Sequence, residues 1–325
     1  MTPGLLRTST LRYRDEVTST PRSSRDLLAP IPLKSRQVDI TNRMGALTPA
    51  TPTGIRGFDA LVGGLRTGTV LLLSGAPGEG KTAFALFLAY MAARSGAAVL
   101  YSSASLDETE IVARLTARAL HRDWPEANTP YGRIWSGQAW QTPHTRGPVG
   151  QAVESVIGKV GQRLHLHAAE ALDPVEELHE RVAELWRRYD RVLLVVDDLE
   201  SFSSVSAAVG EDMSSCMARV GYALRNTAEQ GCAVLATCLS QHVGGALPAA
   251  SHGCELAAPE QRVPMPVNAP PDLGVRPLDL KLYKNRLGAT GTVPLWFVAG
   301  AALFQERGLG VTGMSWIPRL RAPNP

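Results

Sequence analysis

The stretch from Leu71 to Ala85, Leu71-Leu72-Leu73-Ser74-Gly75-Ala76-Pro77-Gly78-Glu79-Gly80-Lys81-Thr82-Ala83-Phe84-Ala85, constrains this chain more than any other. An apolar strand runs into a glycine-rich turn and out into a helix. Glycines at 75, 78 and 80 let successive backbone amides curl round one anion, and a helix starting near Lys81 brings its positive end to the same place. Lys81 reaches the β- and γ-phosphates in this reading, and the Thr82 hydroxyl completes the shell of a Mg ion. The expected phosphate cradle is therefore Gly75, Ala76, Pro77, Gly78, Glu79, Gly80, Lys81, Thr82 and Ala83.

A second feature stands further along. Arg191-Val192-Leu193-Leu194-Val195-Val196-Asp197-Asp198 is an unbroken apolar run ending in acids. Such a run suits a strand buried on both faces of a parallel sheet, and Asp197 at its C-terminal end is where a nucleotide-bound Mg needs a further carboxylate. The segments around it alternate. Helix 82–95 ends at Gly96 and strand 97–103 follows; helix 107–120 then carries Ile111, Leu115 and Ala119 at four-residue spacing. Periodicity next gives a helix over 149–160 and a strand over 164–167. Asp173-Pro174-Val175-Glu176 starts a helix with the stripe Val175, Leu178, Val182 and Leu185. Helix 207–230 stops at Gly231, strand 232–238 follows, and strands at 278–283, 292–298 and 301–305 close the series. This order predicts an α/β fold of three layers, a mainly parallel central sheet between helices.

Composition limits the remaining choices. Hydrophobic residues make up 44% of the 325 residues, enough for a sizeable core, and the formal net charge is only +3. Residues 1–48 hold eight Arg or Lys against four Asp or Glu and lack periodicity, so they read as a flexible basic arm. Within it, the apolar island Asp26–Leu33 is suited to docking on a neighbouring subunit or to packing on itself. Cys216, Cys232, Cys238 and Cys254 form no paired spacing and read as reduced thiols. With no apolar run of membrane-spanning length, the expected protein is soluble and cytoplasmic, with no membrane partner. His165 and His167 share a strand face but lack a third ligand, which argues against a zinc-type site. Trp124, Trp135 and Trp140 read as anchors that hold an irregular excursion, 121–148, on the core. Segment 242–277 reads as a long loop whose only basic residues are Arg262 and Arg276, weak provision for binding nucleic acid phosphates.

Two stretches carry a family resemblance. The lead-in Thr53-Gly54-Ile55-Arg56-Gly57-Phe58-Asp59-Ala60-Leu61-Val62-Gly63-Gly64-Leu65-Arg66-Thr67-Gly68, followed directly by the phosphate loop, resembles the RecA-type ATPase core. It is most similar to the C-terminal motor domain of DnaB-type replicative helicases, with RadA-like and KaiC-like ATPases as neighbours. Lys284-Asn285-Arg286-Leu287-Gly288-Ala289-Thr290-Gly291 resembles the Lys-x-Arg-x-Gly-x-Thr-Gly segment of the DnaB type. The resemblance covers about residues 50–306 and divides the chain into an arm (1–48), an ATPase domain (49–306) and a tail (307–325). It implies ATP rather than GTP, Mg, and a homo-oligomeric ring, hexameric in type, with each nucleotide between two subunits. Lys284 and Arg286 then reach the neighbour's γ-phosphate, and Gln241 senses the γ-phosphate within its own subunit. Single-stranded DNA and replication or repair proteins are the implied partners. The alternative is a KaiC- or RadA-like accessory ATPase or assembly switch, favoured by the thinly charged loop and by the lack of a helical collar in residues 1–48.

One expected part is displaced. The family carries a water-polarising Glu just after the strand that follows the phosphate-loop helix, in a Ser-Leu-Glu setting. Counting back from Ile111-Val112-Ala113-Arg114-Leu115 puts Ser105 there, and a serine takes no proton from water at neutral pH. Reading the tripeptide Ser105-Leu106-Asp107 puts Asp107 there instead. Asp107 is equally suited to cap the next helix, and Glu108 is a further candidate.

Overall fold

Strands that are apolar at every position need cover on both faces, and that requirement organises this chain. A computed structural model describes residues 32–45, 50–168, 175–206, 210–266, 269 and 271–308. The chain divides into two units, 1–47 and 48–325. In the first, a 3-10 turn at Leu33–Arg36 leads into helix α1 (Gln37–Gly45), where the Thr41 hydroxyl donates to the Gln37 carbonyl at 2.8 Å. The arm thus contains a helical segment that weak periodicity did not reveal. Most of the apolar island, residues 26–31, lies outside the described residues, as do Asp173, Pro174 and residues 309–325.

The second unit opens with β1 (Ala50–Thr51), α2 (Arg56–Val62) and β2 (Leu65–Arg66), β1 and β2 pairing antiparallel. Then come β3 (Val70–Gly75), α3 (Lys81–Arg94), β4 (Ala98–Ser103), α4 (Glu108–Asp123), α5 (Tyr131–Trp135), α6 (Gln138–Gln141) and α7 (Pro143–Val160). The chain continues through β5 (Leu164–Ala168), α8 (Val175–Trp186), β6 (Val192–Asp197), α9 (Leu199–Ser206), α10 (Met213–Glu229) and β7 (Ala233–Leu239). It finishes with α11 (Val243–Ala246), β8 (His252–Ala257), β9 (Val275–Asn285), β10 (Gly291–Val298) and β11 (Leu303–Glu306). The large sheet has the order β11-β10-β9-β8-β3-β7-β6-β4-β5. Strands β8, β3, β7, β6, β4 and β5 are parallel, and β9, β10 and β11 extend the sheet antiparallel.

Alternation along each strand divides the core in two. Leu71, Leu73, Val99, Tyr101, Leu193 and Val195 pack with α3, α4 and α7 on one face. Val70, Leu72, Leu100, Leu194, Val196 and Val234 pack with α8, α9 and α10 on the other. The helix after the phosphate loop lies against the sheet with nearly every residue from Ala83 to Ala93 buried, which its all-round apolar sequence requires.

Three expectations need correction. Residues 121–148 are largely helical rather than irregular, and Trp135 and Trp140 are 51% and 40% exposed, so they do not anchor the segment in the core. The expected helix over 207–230 begins only at Met213, where Asp212 accepts the Ser215 amide at 3.0 Å, and a separate α9 precedes it. Segment 242–277 is no continuous loop, because β8 lies beside β3 near the middle of the sheet. Its Gly253 hid it from pattern reading, yet closeness demands that glycine: a Cβ there would stand 2.7 Å from the Tyr283 ring.

Candidate nucleotide-binding site

Parallel strands place their C-terminal ends along one edge, and loops leaving that edge build the site. Strand β3 ends at Gly75 beside Leu239 of β7, while Asp197 of β6 stands in register with Ser103 of β4. The turn between β3 and α3 curls over this edge. Gly80 takes φ of +88°, and an added Cβ would meet the Phe297 ring at 2.8 Å, so only glycine fits there. Gly78, Gly80, Lys81, Thr82 and Ala83 line a cavity of about 700 Å³, and Gly75, Ala76, Pro77 and Glu79 complete the turn behind them. This volume falls within the range of small-molecule sites, and the amides at the start of α3 face an anion placed in it. Lys81 bends back over the turn, donating to the Gly75 and Ala76 carbonyls at 3.0 and 3.1 Å.

Oxygen donors converge on the cavity floor. Asp197 is 2% exposed and accepts hydrogen bonds from Thr82 (3.2 Å), Tyr101 (2.9 Å) and Thr237 (2.7 Å). Burial pushes its carboxyl above the ordinary carboxylate range, against the pull of those three hydroxyls. Burial also raises the Tyr101 phenol well above its usual value, and the Asp197 charge adds to this, so Tyr101 remains the donor. An all-oxygen pair, hydroxyl and carboxylate 3.2 Å apart at the foot of a phosphate cradle, fits Mg and not a metal that prefers nitrogen or sulfur. No group of three or more His, Cys, Asp or Glu suited to holding a metal occurs among the described residues.

The rim is built by residues that the sequence reading did not assign to nucleotide binding. Arg276 donates to the Gly78 carbonyl, lies 3.8 Å from the Glu79 carboxylate, and stands over the Phe297 ring at 5.3 Å. On another side Arg114 lies over the Tyr131 ring at 4.2 Å and pairs with Glu110 at 2.6 Å. The Arg276 guanidinium and the Arg114–Tyr131 pair suit the flat faces of a nucleobase, while Phe297 itself is buried against Phe304. Asp198, Glu200, Thr237 and Asp272 also line the cavity. Thr237 carried a usable signal: it is the one hydroxyl in an otherwise apolar strand, and it faces Asp197. Arg114 and Arg276 carried none.

Several predicted residues lie elsewhere. Gln241 is exposed in a 3-10 turn beyond β7, 3.2 Å from His242, and does not line the cavity. The Asp107 carboxylate caps α4, accepting the Glu110 amide at 2.7 Å, because β4 ends at Ser103 rather than running on toward the loop. Ser105 rests 3.4 Å from the Ser103 hydroxyl, and Glu108 borders a different cavity with Trp135 and Trp140. Lys284 and Arg286 stand at the opposite end of the sheet. Asn285 pairs with His252, which pairs with Leu71, four residues or about 13 Å before the end of β3. There Lys284 donates to the Leu247 carbonyl at 2.6 Å, and Arg286 is exposed with no side-chain hydrogen bond among the described residues.

Comparison with known proteins agrees with this architecture. Residues 51–130 match the family described as ATPase: KaiC. A DnaB-like replicative helicase, described with its interactions with primase, superposes with a TM-score of 0.66 at 17% identity, over 83% of this chain and 67% of that one. A second solved structure, described as an ATPase domain, gives 0.64 at 17% identity, over 85% of this chain and 99% of that one. No curated protein matches the sequence. The fold is therefore the RecA-like fold of DnaB-like helicase ATPase domains. No helix among the described residues is long and apolar enough to cross a membrane.

Proposed function

We propose that this protein is a Mg-dependent ATPase working as a ring, in which each nucleotide is held by the phosphate loop of one copy and completed by Lys284 and Arg286 of the next. The observation that carries the reading is the separation of these cations from their own phosphate loop. The two ends are four positions of β3 apart, and Arg286 has no side-chain hydrogen bond among the described residues. A cation held at a subunit edge is placed to act on a neighbour's phosphate, as a heterologous ring contact allows.

Within one copy, the amides of Gly78 to Ala83 and the Lys81 ammonium orient the triphosphate, while Thr82 and Asp197 would hold the ion. An ion held there would supply Lewis-acid chemistry, offsetting the negative charge that develops on the phosphates. Tyr101 and Thr237 fix the Asp197 carboxylate in one orientation. The Arg276 guanidinium and the Arg114–Tyr131 pair would receive the base.

Two outputs fit such a site. The likeness to DnaB-like helicase domains supports a motor that moves single-stranded DNA through the ring. A specific observation supports the other, a KaiC- or RadA-like assembly switch. Of the two basic residues in 242–277, Arg276 is engaged at the phosphate loop, which leaves Arg262 as the one Arg or Lys of that segment placed to meet a DNA backbone. Phosphate release measured with and without single-stranded DNA separates them. A several-fold rise supports the motor, a flat response supports the switch, and absence of both binding and turnover of ATP contradicts the whole reading.

A further inference from the structure

We propose that Asp198 is the carboxylate that takes the proton of the attacking water, a role for which the sequence offered Asp107 and Glu108. The proposal rests on the ATPase reading above. A general base must come within hydrogen-bond reach of the water it activates, and the acids that line the cavity meet that condition. Ser105, Asp107 and Glu108 do not line it.

Among the described residues, Asp197, Asp198, Glu200 and Asp272 do. Each has a different commitment. Asp197 is buried under three donated hydroxyls and belongs to the ion. Glu200 ties α9 to the end of β7: its Oε1 accepts the Leu239 amide at 2.6 Å and sits 3.1 Å from His242 Nδ1. Its Oε2 is closed off from solvent, where no water reaches it. Asp272 enters from the side of β9, four strand spacings or about 19 Å from β6.

Asp198 remains. It is the first residue beyond β6, next to the ion-holding Asp197, and it is half-buried. Its Oδ1 accepts the Ser201 amide at 2.8 Å, capping α9, and its other oxygen has no hydrogen bond among the described residues. The cap matters for chemistry. A carboxylate held by one oxygen has a fixed rotamer, so the second oxygen keeps its aim without further loss of entropy when a water arrives.

The step balances. The water oxygen forms a bond to the γ-phosphorus while the bond from that phosphorus to the β–γ bridging oxygen breaks. The water proton passes to Asp198, and the departing ADP keeps the electron pair.

The test uses the full chain. Asp198→Asn keeps a cap for α9 but takes no proton, and Asp198→Ser, which also caps helices, serves if the first variant is unstable. Both should bind ATP within about twofold of wild type, and both should lose about 100-fold or more in kcat. Capture of ADP with aluminium fluoride, which mimics the transferring phosphoryl group and its water, should weaken by a comparable factor. Wild-type kcat and wild-type capture in both variants would overturn the proposal and leave the ATPase reading standing. So would a loss of that size in Asp107→Asn with Asp198→Asn unaffected. ATP binding without any turnover by the wild-type protein would overturn the hydrolytic reading itself, and Asp198 with it.

Discussion

The two ends of the central sheet are built from the same strands and are chemically unlike. At the C-terminal end, amides, a buried carboxylate and a glycine turn make a cavity receptive to a phosphate and an ion, and its cations are already engaged. Lys81 rests on loop carbonyls, Arg276 on Gly78 and Arg114 on Glu110. At the other end the situation is reversed. Arg286 projects from a turn organised by Asn285, whose amide group donates to Leu61 and Ala289 at 3.0 and 2.8 Å and whose oxygen accepts the Leu287 amide at 3.0 Å. His252 completes that hub at 3.0 Å. At one end the cations rest on the chain's own groups, and at the other Arg286 has no side-chain hydrogen bond among the described residues. The difference is what supports the proposed division of the site between copies, with one half at each end of the sheet.

The largest effect should come from Lys81→Ala, which removes the charge facing the phosphates and leaves the strands untouched. Phosphate release should fall about 1,000-fold, with the thermal unfolding midpoint unchanged. Unaltered turnover would break the assignment of this end as the nucleotide end. A smaller effect belongs to Tyr101→Phe, which takes one donor from buried Asp197. Urea unfolding should show a loss of about 1.5–3 kcal/mol, the range for a hydrogen bond to a charged group.

The smallest effect sharpens the contrast through pH. Burial pushes the His252 imidazole below its usual 6.5, so the unfolded chain takes up a proton at a pH where the folded chain does not. Stability from this group is present above about pH 6.5 and is lost as pH falls below it. Asp197 has the opposite sign: its raised carboxyl favours the folded state below 3.8, and that contribution is lost as pH rises. The urea midpoint should therefore decline between pH 7.5 and 5.5, and His252→Gln should flatten the decline. An unchanged slope in that variant would remove His252 from the account.

The nucleotide end was the more legible because its chemistry is local in sequence. A phosphate loop needs its glycines and lysine within a few residues, and the strand ending at Asp197 shows itself by an unbroken apolar run. What was missed is long-range. Arg276 and Phe297 reach the loop from antiparallel strands some 200 residues later, and no local pattern marks such a contact. Strand β8 was hidden because glycine and histidine interrupt its run, although the tight approach to Tyr283 is what requires that glycine. Asp107 shows a different limit. The same Ser-Leu-Asp reads as a catalytic tripeptide or as a helix cap, and only the end of β4 at Ser103 makes it the cap.

The proposed division of the site is tested most directly by mixing two defective proteins. Arg286→Ala alone should reduce turnover about 1,000-fold while each copy still binds ATP, and Lys81→Ala alone should reduce it by as much. In a one-to-one mixture, random assembly leaves about a quarter of the interfaces with an intact loop from one protein and an intact arginine from the other. The account predicts that phosphate release recovers in the mixture and peaks near equal proportions. No recovery at any ratio would contradict it, placing Arg286 either in the site of its own chain or outside the reaction.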